Sequence, residues 1–368
     1  KDKNPYTFLS SVEGLRMVTL GGSMQADKQT QKLGKISLGV DGKFAKLESN
    51  TEYKTSARSV KAAGEQAILS PFLRDEIRFL DEKLVATICG RLDWFKIYNG
   101  LQLDTVNATP VVNYSARERY AFSPSAGLVW HVDNKVSLRT AAGRSFNAPL
   151  IGRSYRTAKQ DQMGTVQANP ALGPEKGWSY EAGADWKPYS ALLARLTLYY
   201  VRGTDYISTR VITPGVLAQY DNVGSVQTRG AEAELRWKVA DKWSSSLAYT
   251  YNRAKVTADG VSANVGHDYL NSPRNKLVWG MDYDNPGLFA VNSRLRYKDK
   301  MFADIENRML SRPYWTMDIG ISRKIGAVEA RLDMENLFNT HYDVLDVKTP
   351  PPLMAPGRVI TGSFRVVF

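Results

Sequence analysis

The chain of 368 residues carries 49 lysines and arginines against 37 acidic residues, a formal net charge of +12. It contains no run of eighteen apolar residues, which excludes transmembrane helices, and its single cysteine, Cys89, cannot form an intrachain disulfide. The three histidines lack metal-site spacing, and the basic residues do not form the compact block expected of a nucleic-acid-binding protein.

Apolar and polar residues alternate along most of the chain, which is the period of a β-strand with one buried face. Between residues 231 and 238, small and apolar side chains alternate with glutamate, arginine and lysine. No stretch has a convincing helical period. The pattern predicts fifteen strands, in chain order 13–26, 34–47, 66–79, 83–97, 117–131, 135–146, 177–187, 192–207, 221–239, 242–256, 273–284, 287–299, 312–324, 326–338 and 357–368.

The connections between these strands alternate between short turns and long loops, as in outer-membrane barrels. Many strands have ten or more residues, which is enough to cross a bilayer at a tilt and exceeds the usual length of a sandwich strand. We therefore predict an all-β, antiparallel up-and-down transmembrane β-barrel whose charged strand faces line a wet lumen. The predicted long connections are 48–65, 98–116, 147–176, 208–220, 257–272, 300–311 and 339–356.

The final strand ends on an alternating apolar face formed by Phe364, Val366 and Phe368. An aromatic last residue on such a face resembles the C-terminal signal by which outer-membrane proteins are recognised and inserted. This resemblance implies the barrel assembly machinery as a partner, and outer-membrane lipid and lipopolysaccharide as surroundings.

Eight further segments follow one another in an informative order: LSPFLRDEIRF (69–79), GRLDWF (90–95), FSPSAGLVW (122–130), GRSFNAPL (143–150), NPALGPEKGWSYEAGADW (169–186), DNVGSVQTRGAEAELRW (221–237), MENLFNTHY (334–342) and PGRVITGSFRVVF (356–368). Together they resemble the TonB-dependent outer-membrane receptor family over most of the chain from about residue 65. One departure is Asn147, which stands where the family usually has arginine in its Ala-Pro box.

The resemblance implies a barrel of about 22 strands, fifteen of them in this chain. Residues 1–368 are then the C-terminal barrel portion of a receptor, and the N-terminal plug domain and first strands are absent from the sequence. It also implies a multi-pass protein of the Gram-negative outer membrane that imports a scarce nutrient. The TonB energy-transducing complex would act through the plug, and neither enzymatic activity nor a cofactor is expected.

A ferric siderophore is the ligand that we expect, because an anionic and often aromatic complex suits cationic and aromatic side chains. Loop 147–176 supplies the main cluster of the predicted site, at the outer mouth of the barrel. No catalytic or metal-binding residue is predicted. The ligand-binding candidates are Arg153, Tyr155, Arg156, Lys159, Tyr220, Tyr269, Arg308 and Tyr342.

Several alternatives remain open from the residues. The loop cluster could be a solvated face or could contact lipopolysaccharide phosphates. The resemblance disfavours haem, because haem receptors of the family carry an axial histidine in this loop and 147–176 has none. Copper stays possible through methionines and histidines of the outer loops, and cobalamin is not excluded. A passive porin, a soluble β-sandwich binding module and an outer-membrane enzyme are the alternatives from other classes.

Overall fold

The computed structural model describes residues 11–30, 34–54, 56–106, 111–160, 164–213, 216–344 and 353–366. Fifteen long strands within these ranges form the wall of the molecule. These wall strands are β1 (Ser11–Thr30), β2 (Gly34–Tyr53), β3 (Ser59–Phe79), β4 (Leu84–Asp104), β5 (Arg117–His131), β6 (Val136–Asn147), β7 (Glu175–Tyr189), β8 (Leu192–Thr213), β9 (Leu217–Ala240), β10 (Trp243–Ala258), β11 (Asn275–Asp284), β12 (Ala290–Lys298), β13 (Tyr314–Ile325), β14 (Val328–Glu335) and β15 (Val359–Val366).

Shorter elements of the described chain lie in the connections between wall strands. None of its helices is long and apolar enough to cross a membrane. The short elements are strands Val111–Tyr114, Ala158–Gln160, Gly164–Gln167, Met301–Phe302, Leu310–Ser311, Asp343–Val344 and Leu353–Met354, helix α1 (Ile151–Tyr155) and the 3-10 turn Ser262–Asn264.

Each wall strand pairs antiparallel with the next one in sequence, from β1–β2 to β14–β15. The predicted up-and-down antiparallel architecture is therefore confirmed. One short ladder differs, because residues 164–167 run parallel to the start of β9. Among the described residues β1 and β15 do not pair with each other, so the curved wall has two free edges.

Turn chemistry explains the short connections. The side chain of Asp133 accepts hydrogen bonds of 2.7 Å from the backbone N–H groups of Lys135 and Val136, which closes the β5–β6 turn. Gly326 has a φ of 62° in the two-residue β13–β14 turn, a conformation that glycine adopts at low cost. Because these preferences are local, the short turns could be predicted from the sequence.

Two predicted long connections are much shorter in the structure. Instead of a loop over 208–220, β8 continues to Thr213 and β9 begins at Leu217, and the loop predicted over 48–65 shrinks to residues 54–58. These extensions carry polar residues on both faces, so apolar alternation does not mark them. Continuing the ladder still satisfies their backbone N–H and C=O groups.

The outward face of the wall is apolar. On β15, Ile360, Phe364 and Val366 alternate along one face and are 59%, 81% and 50% exposed. Every residue of Val359–Val366 is exposed, so the assignment of this face to lipid stays a prediction. Phe368, the last residue of the predicted insertion signal, lies outside the described residues. Other exposed apolar residues alternate in the same way, including Trp178, Tyr180 and Trp186 on β7, Leu196 and Leu198 on β8, and Trp315 and Ile321 on β13.

The opposite face, against which the long connection 148–174 packs, is called the luminal face. Ion pairs run across it from strand to strand. Asp185 of β7 pairs with both Arg139 and Arg195, and Arg195 also reaches Glu234 of β9. Each of these charged side chains is paired with an opposite charge on a neighbouring strand, so the ion pairs largely neutralise one another on the luminal face.

Candidate functional site

The connection 148–174, called the strap, folds back onto the luminal face near its long-loop end. Its helix α1 contacts β2, β3 and β4. The ring of Tyr155 lies where wall glycines leave room: a Cβ at Gly64 would be 2.2 Å from the ring, and one at Gly100 would be 2.1 Å from it. The two glycines therefore form a niche for this ring.

Tyr155 is completely buried there, in a cluster of apolar side chains. Next to it, Gln66 of β3 donates a 2.8 Å hydrogen bond to the carbonyl of the buried Pro149. Burial raises the pKa of Tyr155 to about 12, and its hydroxyl has no hydrogen-bond partner among the described residues. Tyr155 thus anchors the strap, and its predicted ligand contact stays a prediction that this burial disfavours. The buried cluster comprises Leu47, Phe95, Ile97, Ile151 and Tyr155.

Polar contacts attach the far end of the strap to β8 and β9. Asn169 donates to the carbonyl of Tyr220 at 2.8 Å, and Asn222 exchanges hydrogen bonds with both backbone groups of Gly173. Glu175, the first residue of β7, accepts from the Ile207 N–H and from the side chain of Asn147. Asn147, the departure from the family's usual arginine, therefore joins the two ends of the strap through Glu175.

An arginine and three tyrosines meet where the strap passes β8 and β9. The guanidinium of Arg153 lies 5.6 Å from the centre of the Tyr220 ring and donates to the Ile207 carbonyl at 3.3 Å. Tyr206 and Tyr269 stack with ring centres 6.5 Å apart. Burial raises the pKa of Tyr269, while the nearby Arg153 acts in the opposite direction. These four residues are called the arginine–tyrosine cluster.

Arg156 has a different role from Arg153. It makes a bidentate ion pair with Glu13, at the long-loop end of β1, and this hydrogen bonding holds the pKa of Glu13 below its usual range. Ser49 of β2 donates a further hydrogen bond to Glu13. The positive charge of Arg156 is thus largely compensated within the structure, and its contact ties the strap to the first wall strand.

Two other predicted residues, Tyr342 and Arg308, belong to different outer connections. Tyr342 stacks on Tyr314 with ring centres 4.1 Å apart, and Arg308 is exposed in the β12–β13 connection. Lys159 lies in the short strand Ala158–Gln160 of the strap, and its side chain is outside the described residues. The structure therefore brings together Arg153, Tyr220 and Tyr269 of the predicted eight.

Tyr206, Glu175 and Glu13 also contribute to the site and are not among the predicted residues. Tyr206 lies within a wall strand, where a tyrosine is unremarkable. Its contribution depends on a register shift between Gly203 and Tyr206, which local alternation does not reveal. No local pattern marks the two glutamates, because Glu175 bonds to Asn147, 28 residues away, and Glu13 to Arg156, 143 residues away.

Two outer connections are cross-linked beside the cluster. The amide of Asn307 donates to the Asp268 carbonyl and its oxygen accepts from the Asp268 N–H, both at 2.8 Å. His267 lies 3.1 Å from the Ile305 carbonyl through Nδ1. Within the described ranges, no three His, Cys, Asp or Glu side chains are grouped so as to hold a metal ion.

A sequence model of the family described as TonB dependent receptor-like, beta-barrel, matches residues 15–337. The chain belongs to this family. Members of the family are β-barrel receptors and transporters of the Gram-negative outer membrane and are not enzymes, so the predicted family, location and absence of enzymatic activity are confirmed.

The receptor barrel has curated relatives of known type. It is 26% identical over 280 residues to the iron-regulated outer membrane virulence protein of Vibrio cholerae, covering 72% of this chain and 38% of that protein. It is 27% identical over 279 residues to the probable TonB-dependent siderophore receptor PiuA of Acinetobacter baumannii, covering 68% and 37% respectively. The chain thus spans less than two-fifths of the length of these relatives.

Solved structures share the fold of the receptor barrel. The ferric yersiniabactin uptake receptor FyuA of Yersinia pestis superposes with a TM-score of 0.78 at 13% identity, over 97% of this chain and 55% of that one. The copper transporter OprC gives a TM-score of 0.80 at 15% identity, over 99% and 58%. At such identities the similarity shows the architecture of the wall and leaves the ligand open.

Proposed function

We propose that this chain forms most of the wall of an outer-membrane receptor for energy-coupled uptake of a ferric siderophore. The observation that carries the proposal is the arginine–tyrosine cluster, which lies on the luminal face towards the long-loop end. There a ligand entering from outside would meet one guanidinium and several aromatic rings.

The chemistry of the cluster suits an anionic, aromatic ligand. A guanidinium has five N–H donors, and Arg153 uses one of them on the Ile207 carbonyl. Its remaining donors suit carboxylate, catecholate or hydroxamate oxygens of a metal chelate, because hydrogen bonds to ionised partners are strong. The stacked rings of Tyr206 and Tyr269 offer an aromatic surface beside it.

The names of several relatives support this ligand class. They include a probable siderophore receptor of Acinetobacter baumannii, and a ferrioxamine receptor of Yersinia enterocolitica that is 27% identical over 204 residues. The chain covers only 28% of the latter protein, so its ligand is a guide to chemical class alone.

The proposal includes parts outside this chain. Free edges cannot persist in lipid, because every backbone N–H and C=O group there needs an internal partner. We therefore infer that further strands close the wall between β1 and β15, and that a plug domain fills it and transmits force from the TonB complex. The barrel assembly machinery and lipopolysaccharide complete the set of proposed partners.

Uptake of radiolabelled ferric siderophores by cells expressing the intact receptor tests the function. We expect uptake that requires both the receptor gene and the proton gradient. Uptake that persists after the gradient is collapsed would instead indicate a passive porin. Normal growth of a receptor deletion under iron starvation, with loss of cobalamin or copper uptake, would assign the receptor to one of those ligands.

A further inference from the structure

A group of cations lies on the outward face of β8, β9 and β10. In the strand register, Arg202 is opposite Gln227, which is in turn opposite Lys255. Two residues nearer the short-turn end, Arg229 is directly opposite Arg253. Arg202, Arg229, Arg253 and Lys255 thus occupy two neighbouring rows on three adjacent strands and are called the cationic patch.

The strand register assigns the patch to the outward face. Residues directly opposite in antiparallel strands share a face, and residues two apart along a strand do so as well. The rows that continue towards the short turns hold Tyr251 and Tyr249 opposite alanines of β9, and both tyrosines are more than one-third exposed. The intervening residues Ala254 and Val256 are buried on the luminal side.

The height of the patch matches a membrane surface. Ten positions separate Leu192 from Arg202, and ten separate Trp243 from Arg253. At a rise of about 3.4 Å per residue and a tilt of about 45°, ten residues climb about 24 Å. The apolar band of an outer-membrane barrel is about 25 Å tall. The patch therefore lies at the upper edge of this band at the long-loop end, within reach of the headgroups of the outer leaflet.

The charges of the patch are poorly compensated by the protein. Within the described part of the chain, Arg202, Arg229 and Arg253 make no salt bridge, and all three are exposed. Lys255 pairs with Asp268 at 2.8 Å. The direct opposition of Arg229 and Arg253 is repulsive unless an anion lies between them.

The outward face of β2–β5 provides a contrast at a similar height. There Lys96 pairs with Glu118 at 2.8 Å, and Lys46 pairs with Glu48 at 2.9 Å. Each of these lysines is neutralised by a neighbouring carboxylate. The excess of positive charge is thus a property of the cationic patch and does not extend to the β2–β5 surface.

We propose that the cationic patch binds the phosphate groups of lipid A, the membrane anchor of lipopolysaccharide, in the outer leaflet. Arginine is suited to this role because its planar guanidinium meets phosphate oxygens with two parallel hydrogen bonds. Trp178, directly opposite Arg202, stacks on Tyr180 and extends the patch with an exposed aromatic surface for the sugars and acyl chains. The inference concerns the outer wall and does not depend on the ligand of the lumen.

Native mass spectrometry of the intact receptor in detergent tests the proposal. The probes are bis-phosphorylated lipid A and the same lipid after enzymatic removal of both phosphates. We expect the wild-type receptor to retain the phosphorylated lipid and to release the dephosphorylated one. In the Arg229→Gln, Arg253→Gln variant, affinity for the phosphorylated lipid should fall by about tenfold per arginine, hence on the order of a hundredfold.

The matched control is the Lys46→Gln, Lys96→Gln variant, which removes two outward cations that already have carboxylate partners. It should bind phosphorylated lipid A like the wild type, and heat-modifiable mobility in gels should show that both variants fold. Equal losses in the two variants would overturn the proposal, since any two outward cations would then suffice. Wild-type affinity in the Arg229→Gln, Arg253→Gln variant, or equal retention of both lipids, would also overturn it.

Discussion

Replacing Gly100 by alanine should displace the strap without disturbing the wall. A methyl group there would lie 2.1 Å from Cε1 of Tyr155, whereas carbon atoms pack best at about 3.5–4.0 Å. The ring must therefore move by about 1.5 Å. Gly100 does not have a positive φ, so the effect is steric and does not reflect backbone strain.

Overpacking of this kind typically costs about 1–3 kcal/mol. Tyr155 lies two residues after Arg153 in the same short helix. Displacing the Tyr155 ring therefore also displaces Arg153 from the arginine–tyrosine cluster. If ligand binding requires the docked strap, affinity should drop by a factor of about 5 to 150. Ligand titration of the intact receptor measures this change, and limited proteolysis reports how often the strap leaves the wall.

The control is Gly42→Ala in β2, where an added Cβ meets nothing within 4 Å. It should retain wild-type affinity and protease resistance. Tyr155→Phe should also bind normally, because it removes only a buried hydroxyl that has no partner in the part of the chain that the structure describes. If Gly100→Ala binds ligand and resists protease as well as Gly42→Ala does, the strap is not held by the glycine niche and the reasoning fails.

Three further predictions concern the strap arginines, pH and membrane insertion. Arg153→Gln should weaken siderophore binding about tenfold or more, whereas Arg156→Gln should affect it much less because Arg156 is paired with Glu13; equal losses in equilibrium titrations would contradict this division. The lowered pKa of Glu13 means that its stabilising contribution is present above the ordinary carboxyl range and is lost as the pH falls through the lowered value. Proteolysis of the strap should therefore accelerate in acid for the wild type and show little such dependence in Glu13→Gln. Phe368→Asp should reduce assembly of the intact receptor in the outer membrane, and a normal amount of heat-modifiable barrel would refute the insertion signal.

The amino-acid sequence by itself determined the wall. Alternation with period two is a local property, since it needs only that one face meets lipid and the other meets water. It therefore located all fifteen wall strands, and the bounds of β5 agree with the predicted ones. It did not detect the ends of β8 and β9, where the strap covers the wall and regular alternation disappears.

Tertiary structure decided what the strap does. The three residues of the predicted strap cluster have different partners. Arg153 contacts Tyr220, Tyr155 packs in the buried apolar cluster, and Arg156 pairs with Glu13. Glu13 is 143 residues from Arg156 in the chain, and no local pattern encodes such a contact. It arises only when the register of the whole wall brings the long-loop end of β1 beside a connection that folds inward.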